Sequence, residues 1–371
     1  MGKILIFNPS NDMALAANSL SYFPPRHIQQ MEEDLALLPL WWAEEGDCVL
    51  TPANVVYRVE TDGTLSLQED TSVLARLCAD SEGSSPFNIW GWSLALRHRL
   101  LHLGIPESYL PSKELISEYR NLSSRAFAAE YIHQLFDDAD REGWSSRLVG
   151  RGMRVLNSFT EPGEADSSFF IFHSSFIFKT LWSSSGRGVF VYTPDTPFNA
   201  DRVTSAIRNQ GGILVDDFYE DKLLDFALEF ETTDAGTHFL GYSVFEASTS
   251  GSYGGNIVAA QSRLRERILS TGIGAELLDK VIDYTTRMLG SLLADSYRGV
   301  FGVDMLICRH KGDIALHPCI EINLRRNMGI LAIDVYQRLG DNATAILAGN
   351  PSHGFCAQVS DGKLFIGLGK R

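Results

Sequence analysis

The chain has 371 residues, a length at which two or three subdomains are expected rather than one small core. Hydrophobic residues make up 44% and charged residues 21%, which is an ordinary globular balance. The net charge of −14 argues against a surface for nucleic acid or anionic membrane, because such surfaces need clustered Lys and Arg. No stretch approaches 18 uninterrupted apolar residues, so no transmembrane helix is predicted.

The N-terminal third alternates between strand-like and helix-like patterns. Short apolar runs bounded by turn signals predict strands at "KILIF", "DCVLT" and "FNIWGW". Helical character is found in "RHIQQMEEDLALLPLWWAEEG" and in "SLALRHRLLHLG", which Gly104 closes. This alternation predicts a small parallel α/β domain over residues 1–112.

The rest of the chain has α+β character. The run "SKELISEYRNLSSRAFAAEYIHQLF" predicts helix, and strand-like runs follow at "SSFFIFHSSFIFKTLW", "GVFVY", "ILVDDFY", "LLDFALEFET" and "HFLGYSVFEAS". After a Gly/Ser/Tyr loop at 248–256 the pattern predicts a helix from about 274 to 295 and two more strands. The fold class expected from these patterns is therefore α/β and α+β.

The segment "GVFGVDMLICRHKGDIALHPCIEINLR" predicts a hairpin with acidic residues on one face. Gly312-Asp313 suits the two central positions of a type II′ turn. Such a turn would pair Asp304 with Glu321 and Gly302 with Asn323 on one face, and Val303 with Ile322, Met305 with Ile320 and Ile307 with Pro318 on the other. Pro318 cannot donate to the ladder and can mark a bulge.

Two carboxylates directly opposite each other on neighbouring strands repel unless a cation lies between them. Oxygen atoms from Asp304, Glu321 and Asn323 suit Mg²⁺, which one or two carboxylates often hold together with substrate phosphates. An acidic, solvent-facing strand that a neighbouring Arg neutralises is the alternative interpretation.

Lys179 ends an apolar strand and precedes the Ser/Gly turn "SSSGRG", residues 183–188. Backbone N–H groups of such a turn can hold phosphates, and a lysine can neutralise one as a point charge. The pattern is neither a Walker motif nor a dinucleotide fingerprint, because no helix opens after it. An ordinary turn between two strands is the alternative interpretation.

Together these motifs resemble the ATP-grasp superfamily in order and spacing over roughly residues 113–335. The lysine and its Ser/Gly loop precede an acidic hinge, "ILVDDFYE" at 213–220, then a G-V-D strand and an E-I-N-x-R strand. The resemblance implies a pre-ATP-grasp-like α/β domain at 1–112 followed by a two-lobed ATP-grasp fold with antiparallel sheets. Its small lobe with the phosphate loop would span 113–215, and its large lobe with the magnesium and acceptor sites 216–371.

The resemblance also implies an ATP- and Mg²⁺-dependent ligase that activates a carboxylate as an acyl phosphate and joins it to an amine. The implied magnesium ligands are Asp304, Glu321 and Asn323. Arg325 resembles the arginine that steadies the transferred phosphoryl group, and Arg326 is a second candidate. Arg125 stands where the family usually has a lysine, and its geometry differs from that of lysine. The implied nucleotide contacts are Arg125, Lys179, Ser183, Ser184, Ser185, Gly186, Arg187, Gly188, Asp216, Asp217, Phe218, Tyr219 and Glu220.

Two alternatives use the same motifs: a non-catalytic ATP-binding regulatory protein, and a phosphotransferase that stops at a phosphorylated product. The expected partners are a small-molecule carboxylate and an amine, not nucleic acid or membrane. A homodimer is compatible with the sequence, which leaves the oligomeric state open. Loops 8–12, 51–54 and 91–94 follow predicted parallel strands, where ligands bind, although their residues also favour plain turns. The loop 248–256 either covers the acceptor or is an ordinary hairpin tip.

Five scattered cysteines without a C-x-x-C motif predict reduced thiols in a cytoplasmic protein: Cys48, Cys78, Cys308, Cys319 and Cys356. Two of them share a face of the hairpin with His317, which makes a zinc site conceivable. A fourth ligand is missing and the spacing is irregular, so buried thiols beside a histidine are the favoured interpretation.

Overall fold

The computed structural model describes residues 2–81, 85–158, 175–183, 188–195, 198–247, 253–341 and 343–368. Within these ranges the strands form three sheets, of five, four and eight strands. No helix in this part of the chain is both long enough and apolar enough to cross a membrane.

The N-terminal sheet has the order β4-β3-β2-β1-β5. Its strands are β1 (Ile4–Ile6), β2 (Cys48–Leu50), β3 (Val56–Val59), β4 (Leu65–Leu67) and β5 (Phe87–Ile89), and its helices are α1 (Asn11–Ala17), α2 (Arg26–Asp34), α3 (Ser72–Ala79) and α4 (Leu94–His102). β1 pairs in parallel with both β2 and β5, which confirms the predicted parallel sheet. The antiparallel strands β3 and β4 extend it and were not predicted.

A four-stranded sheet follows, with the order β6-β9-β7-β8. Its strands are β6 (Arg154–Leu156), β7 (Phe176–Thr180), β8 (Val189–Tyr192) and β9 (Ile213–Asp217), and the helices of this region are α5 (Lys113–Leu122), α6 (Arg125–Glu142) and α7 (Ala200–Gln210). Serine begins both α5 and α6: the hydroxyl of Ser112 accepts from the N–H of Leu115, and that of Ser124 accepts from the N–H of Phe127. Helix α6 therefore starts at Arg125, close to the end of β7.

The eight-stranded sheet has the order β14-β13-β10-β11-β12-β17-β16-β15. It contains β10 (Lys222–Thr233), β11 (Gly236–Ala247), β12 (Tyr253–Ile257), β13 (Gly299–His310), β14 (Asp313–Asn323), β15 (Ala345–Asn350), β16 (His353–Ser360) and β17 (Lys363–Leu368), with the helices α8 (Gln261–Leu269), α9 (Ala275–Leu293) and α10 (Met328–Leu339). Its strand pairs are antiparallel, so a small parallel sheet followed by larger antiparallel sheets confirms the predicted fold class. Strand β12 and the last three strands were not predicted, and β12 takes up the end of the expected 248–256 loop.

Two apolar clusters organise the large sheet. Phe226, Leu228 and Val303 belong to a core in which the sheet packs against α6 and α9. Val335 and Leu347 belong to a second core that also contains β1 and the short 3₁₀ helix Leu38–Trp41 of the N-terminal region. The first and last parts of the chain therefore share one core, although they are far apart in sequence.

The hairpin β13–β14 confirms the pairing of Asp304 with Glu321, but its turn differs from the prediction. His310 pairs with Asp313, so Lys311 and Gly312 are the central residues, with φ of 51° and 90°. Positive φ at both positions is typical of a type I′ turn, and the predicted type II′ turn at Gly312-Asp313 is wrong.

The register between turn and acidic pair also differs from the prediction. Ile307 lies opposite Leu316 rather than Pro318, and the register shifts between Asp304 and Leu306. Pro318 lies within this irregular stretch of an edge strand, where a residue without an N–H is tolerated. The predicted pairs of Met305 with Ile320 and of Ile307 with Pro318 are therefore wrong, and the bulge suggested by Pro318 is present.

Candidate active site

A cleft with an empty volume of about 1040 Å³ opens between the four-stranded and the eight-stranded sheet. β7, β8 and β9 supply one wall, and β10, β13 and β14 supply the other. Nine of the candidate site residues from the sequence line it: Arg125, Lys179, Asp216, Asp217, Phe218, Tyr219, Glu220, Asp304 and Glu321. Ser183 contacts one of them, Arg125.

Lys179 points into this cleft from the end of β7 and is 6% exposed. Burial lowers the pKa of its ammonium group, and the carboxylates of Asp216, Glu321 and Asp304 oppose that shift. Within the described residues no hydrogen bond or ion pair holds its Nζ atom. A buried ammonium group without a fixed partner is suited to bind an incoming anion.

Arg125 lies beside Lys179 at the first position of α6. Its Nη2 donates to Glu321 Oε2 at 2.7 Å, and its Nη1 donates to Thr180 O at 2.6 Å and to Ser183 Oγ at 2.7 Å. The guanidinium group therefore joins the phosphate-loop strand to the acidic strand β14. Its Nε is buried and has no partner among the described residues.

Acidic side chains cover the face of the large sheet that lines the cleft. Ala227 pairs with Asp304 and Asp304 with Glu321, so Asp225 and Glu229, two residues either side of Ala227, share that face. Burial raises the pKa of Asp304 to about 8, and the carboxylates of Glu321 and Glu229 add to the shift. The face is thus arranged to accept a cation, because a bound cation would relieve this repulsion.

Asn323 and Arg325 extend the same site toward the N-terminal region. Gly302 pairs with Asn323 one step beyond the Asp304–Glu321 pair, so the amide shares the acidic face. Arg325 Nη2 donates to Asn323 Oδ1 at 3.0 Å, and its Nε and Nη2 donate to both oxygens of Asp12 at 2.8 and 2.6 Å. Burial alone would lower the pKa of Arg325, but Asp12 raises it above the ordinary value.

Arg326 lies apart from this group. Its guanidinium group forms an ion pair with Asp334 and lies over the Trp42 ring, 4.4 Å from the ring centroid. The Arg326 N–H donates to Trp90 O at 2.8 Å. These contacts face the N-terminal core, so the structure brings Arg325 to the acidic face but does not bring Arg326 there.

The expected hinge, Asp216–Glu220, closes the other end of the cleft. His317 Nε2 shares a hydrogen bond with Asp216 Oδ2 at 2.8 Å, and both side chains are buried. Tyr219 lies edge-on to the His317 ring at 5.8 Å, and burial raises the pKa of its hydroxyl. Glu220 Oε1 accepts from Ser175 Oγ at 3.1 Å. The hinge therefore rests on strand β14 through His317.

The loop 183–188 is described at its two ends. Gly188 has φ of 72°, and a Cβ there would lie 2.3 Å from Thr180 Oγ1, so both space and backbone conformation favour glycine. Thr180 N donates to Gly188 O at 3.1 Å. Four expected phosphate contacts lie outside the described residues: Ser184, Ser185, Gly186 and Arg187.

Sequence reasoning missed the acidic residues Asp225 and Glu229 of the site, and it named Asp12 only as part of loop 8–12. Asp225 lines the cleft and pairs with Lys222, and burial raises its pKa. Glu229 accepts from Ser243 Oγ at 2.7 Å and from Asn327 Nδ2 at 2.8 Å. Two acids four residues apart in the apolar strand β10 were the available signal. Asp12 carried no such signal, because its partner Arg325 is 313 residues away.

Two of the three N-terminal loops meet next to Arg325. Asn8 Nδ2 donates to Gly91 O at 2.8 Å, and a Cβ on Gly91 would lie 2.6 Å from the side chain of Asn11. These loops follow β1 and β5, whose carboxyl ends are where ligands bind in parallel sheets. The third loop, 51–54, is held by Arg99, whose Nη2 donates to Asn54 Oδ1 at 2.8 Å and to Thr51 O.

A zinc site at the hairpin receives no support. In the part of the chain that the structure describes, no three His, Cys, Asp or Glu side chains are grouped to hold a metal. Cys308 and Cys319 are free and buried, and His317 bonds Asp216 instead. Oxygen donors from two carboxylates and one amide, Asp304, Glu321 and Asn323, remain the set that fits Mg²⁺.

No protein-family model matches the chain, and no curated protein matches it. Solved structures resemble it at low identity. D-alanyl-alanine synthetase A from Vibrio cholerae is 14% identical over 91% of this chain and 93% of its own, with a TM-score of 0.41. N5-carboxyaminoimidazole synthetase from Staphylococcus aureus, solved with ADP, is 13% identical over 90% and 77%, with a TM-score of 0.41. Biotin carboxylase from Campylobacter jejuni is 14% identical over 90% and 70%, with a TM-score of 0.39.

TM-scores below 0.5 at such identities carry no argument about activity or substrate. The chemistry of the chain is therefore inferred from its own cleft.

Proposed function

We propose that the protein is an ATP- and Mg²⁺-dependent ligase that activates a carboxylate as an acyl phosphate and joins it to an amine. One observation carries this proposal: Lys179 and Arg125 line the same cleft as the opposed carboxylates Asp304 and Glu321, and Arg125 pairs with Glu321. Phosphoryl transfer needs cations around the phosphates, and this cleft offers two cationic side chains and a carboxylate pair that can bind a metal cation.

The acidic face fits Mg²⁺ by its donor set and by its electrostatics. Asp304 and Glu321 are directly opposed, and burial together with this repulsion raises the pKa of Asp304 to about 8. We infer that both carboxylates and the amide oxygen of Asn323 hold the ion. When bound, Mg²⁺ would neutralise phosphate oxygens of ATP, which is a substrate of the proposed reaction.

Other residues of the cleft bind the nucleotide and stabilise the transferred phosphoryl group in this proposal. Lys179 and Arg125 bind phosphate oxygens and offset the charge that repels an incoming carboxylate. The backbone of Asp216–Tyr219 contacts the adenine edge, and Glu220 or Asp225 lies near the ribose. Arg325, which Asp12 holds by both carboxylate oxygens, steadies the transferred phosphoryl group. Catalysis by these residues is mainly positioning and charge stabilisation.

We place the carboxylate and amine substrates between Arg325 and the loops 8–12 and 91–94. The contacts of Asn8 with Gly91 and of Asp12 with Arg325 support this placement, because they bring the two loops next to Arg325. Five free, buried cysteines support a cytoplasmic location for this activity, because the cytosol keeps thiols reduced and disulfides are rare there.

Hydroxylamine trapping tests the proposal without knowledge of the amine. The protein is incubated with Mg²⁺-ATP, hydroxylamine and a panel of carboxylates, and ADP and hydroxamate are measured together. A ligase of this type produces both in equal amounts with one carboxylate class, and Glu321→Gln loses both. ADP with a stable phosphorylated product and no hydroxamate favours the phosphotransferase. Tight ATP binding without any ADP favours the non-catalytic regulatory protein.

A further inference from the structure

Helix α4 carries two histidines one turn apart on its solvent side. His98 is half-buried and His102, the last residue of the helix, is exposed. Their Nε2 atoms lie 3.1 Å apart, and their rings meet at 84° with centroids 4.2 Å apart. The two nitrogens lie within hydrogen-bond distance of each other, and which of them carries the proton depends on the tautomer.

The distance between these nitrogens fits a chelated metal ion. With metal–nitrogen bonds of about 2.05 Å, a separation of 3.1 Å gives a nitrogen–metal–nitrogen angle of about 98°. This angle lies between the roughly 90° of square-planar or octahedral sites and the roughly 109° of tetrahedral ones. The helix thus holds the two imidazoles at a distance that suits two ligands of one metal ion. Residues four apart lie on the same face of a helix, which brings the two rings together.

The chemistry of the pair selects the class of ion. Neutral imidazole is a preferred ligand of Zn²⁺, Cu²⁺ and Ni²⁺, whereas Mg²⁺ prefers oxygen. In the metal-free pair one Nε2 donates the shared proton to the lone pair of the other. A metal ion that binds both Nε2 atoms displaces that proton, which moves to the Nδ1 atom of the same ring or to solvent. No third His, Cys, Asp or Glu completes a cluster among the described residues, so water would fill the remaining coordination positions.

We propose that His98 and His102 form a binding site for a divalent transition-metal ion, separate from the acidic face of the cleft. The site lies on the helix whose Arg99 holds Asn54 of the loop after β2. It requires neither nucleotide nor turnover and does not depend on the proposed ligase activity.

Copper binding to the untagged full-length chain tests the proposal. One equivalent of Cu²⁺ is added with excess Mg²⁺, and nitrogen couplings are read by pulsed electron paramagnetic resonance while affinity is measured by calorimetry. We expect two imidazole nitrogens on one ion, with Cu²⁺ binding more tightly than Zn²⁺. Copper at the carboxylates of the cleft would show no imidazole coupling.

The variants His98→Gln, His102→Gln and the double variant separate a chelate from single contacts. Each single change should lower Cu²⁺ affinity by about 10²-fold or more, close to the double variant, because the second ligand acts at high effective concentration. His353→Gln, at an exposed position in β16, is the matched control and should bind as the parent does. Because His102 is exposed, His102→Gln should keep the circular-dichroism spectrum of the parent.

The proposal is overturned by any of three results. The first is a copper signal without two imidazole couplings in the parent chain. The second is an unchanged signal in a folded His102→Gln variant. The third is the absence of Cu²⁺ binding at micromolar concentrations.

Discussion

The ammonium group of Lys179 lies buried at the end of β7 and faces three carboxylates that do not touch it. Burial lowers its pKa, so the apo cleft holds this charge at a cost that an anionic ligand would offset. Its contribution should therefore appear mainly in the affinity for nucleotide.

We expect Lys179→Ala to weaken binding of Mg²⁺ with a non-hydrolysable ATP analogue by ~1.5–3 kcal/mol, because a charge-assisted phosphate contact is lost. Isothermal calorimetry measures the change. Lys280→Ala is the control, since Lys280 pairs with Glu276 on the surface of α9. Equal affinities of parent and Lys179→Ala would contradict the assignment of the phosphate end of the cleft.

Glu229 is the most buried acid of the cleft face, at 1% exposure. Burial raises its pKa from 4.5 to about 7, and hydrogen bonds from Ser243 and Asn327 limit the shift. The folded protein thus keeps a proton that the unfolded chain releases near pH 4.5. The contribution of Glu229 to the free energy of unfolding is therefore fully present below about pH 4.5. It falls as the pH rises from there through about 7, and it stays reduced at higher pH.

We expect Glu229→Gln to remove this pH dependence. Its effect on the free energy of unfolding should be more favourable at pH 8 than at pH 4, by at most about 3 kcal/mol. Gln can accept from Asn327 and donate to Ser243 Oγ, so the buried contacts survive. Urea unfolding at pH 4, 6 and 8 measures the effect, with the exposed Glu276→Gln as control. Parallel pH profiles of parent and Glu229→Gln would show that Glu229 is ionised in the fold.

At the scale of elements, the turn of the β13–β14 hairpin sets the start of the acidic strand. Gly312 has φ of 90° and open space around its Cα, so only backbone conformation disfavours a side chain there. We expect Gly312→Ala to lower the free energy of unfolding by ~1–2 kcal/mol. Gly367→Ala is the matched control, because Gly367 also has open space but no positive φ. If both variants lose a similar free energy of unfolding, the positive φ of Gly312 is not the cause of the loss.

The ion pair that connects α6 with β14 changes the expected effect of a Glu321 substitution on stability. Opposed carboxylates alone predict that Glu321→Gln relieves ~0.2–1 kcal/mol of repulsion. The structure adds an ion pair of Glu321 with Arg125 at 2.7 Å, in which Arg125 is buried. Loss of that pair leaves a buried guanidinium group without its carboxylate, and this loss outweighs the relief.

We therefore expect Glu321→Gln to lower apo stability by ~1–3 kcal/mol, and to reduce the rise in melting temperature that Mg²⁺-ATP produces. Urea unfolding without ligand and thermal unfolding with and without Mg²⁺-ATP measure the two effects. Glu276→Gln, whose surface pair with Lys280 contributes little, serves as control. An undiminished ligand-induced rise in Glu321→Gln would exclude Glu321 as a metal ligand.

At the scale of the whole molecule, the first and last parts of the chain stabilise each other. Trp41 Nε1 donates to Leu347 O at 2.9 Å, and Arg338 Nη2 donates to Ala43 O at 2.7 Å. The 3₁₀ helix before β2 contributes to the same core as α10 and β15–β17. The expected domain 1–112 therefore leaves part of its apolar surface uncovered when it stands alone.

We expect a fragment of residues 1–112 to lack a cooperative unfolding transition, because small domains that lose part of their core are marginal. Circular dichroism during urea titration of the fragment and of the full chain measures this. The full chain serves as the control and should show the cooperative loss of the parallel sheet. A cooperative transition in the isolated fragment would establish residues 1–112 as an independent domain.

Two errors in the sequence-based hairpin cancelled. The turn lies at Lys311-Gly312 rather than Gly312-Asp313, and the irregular stretch around Pro318 restores the two residues of register that this shift removes. Asp304 therefore lies opposite Glu321 as predicted. The alternation of side chains along each strand was readable locally, whereas the turn type and the bulge depended on backbone conformations that several residues allow.

The sequence by itself determined the periods of most strands and helices, the parallel pairing in the N-terminal sheet, the antiparallel β13–β14 hairpin and the side chains that share a face of that hairpin. These features depend on neighbours within a few residues, so local patterns encode them. Tertiary structure alone decided the pairs that build the site: Asp12 with Arg325, Arg125 with Glu321, and Asp216 with His317. Their members are 313, 196 and 101 residues apart. Contacts over such separations depend on how packed cores orient whole elements, which no local pattern specifies.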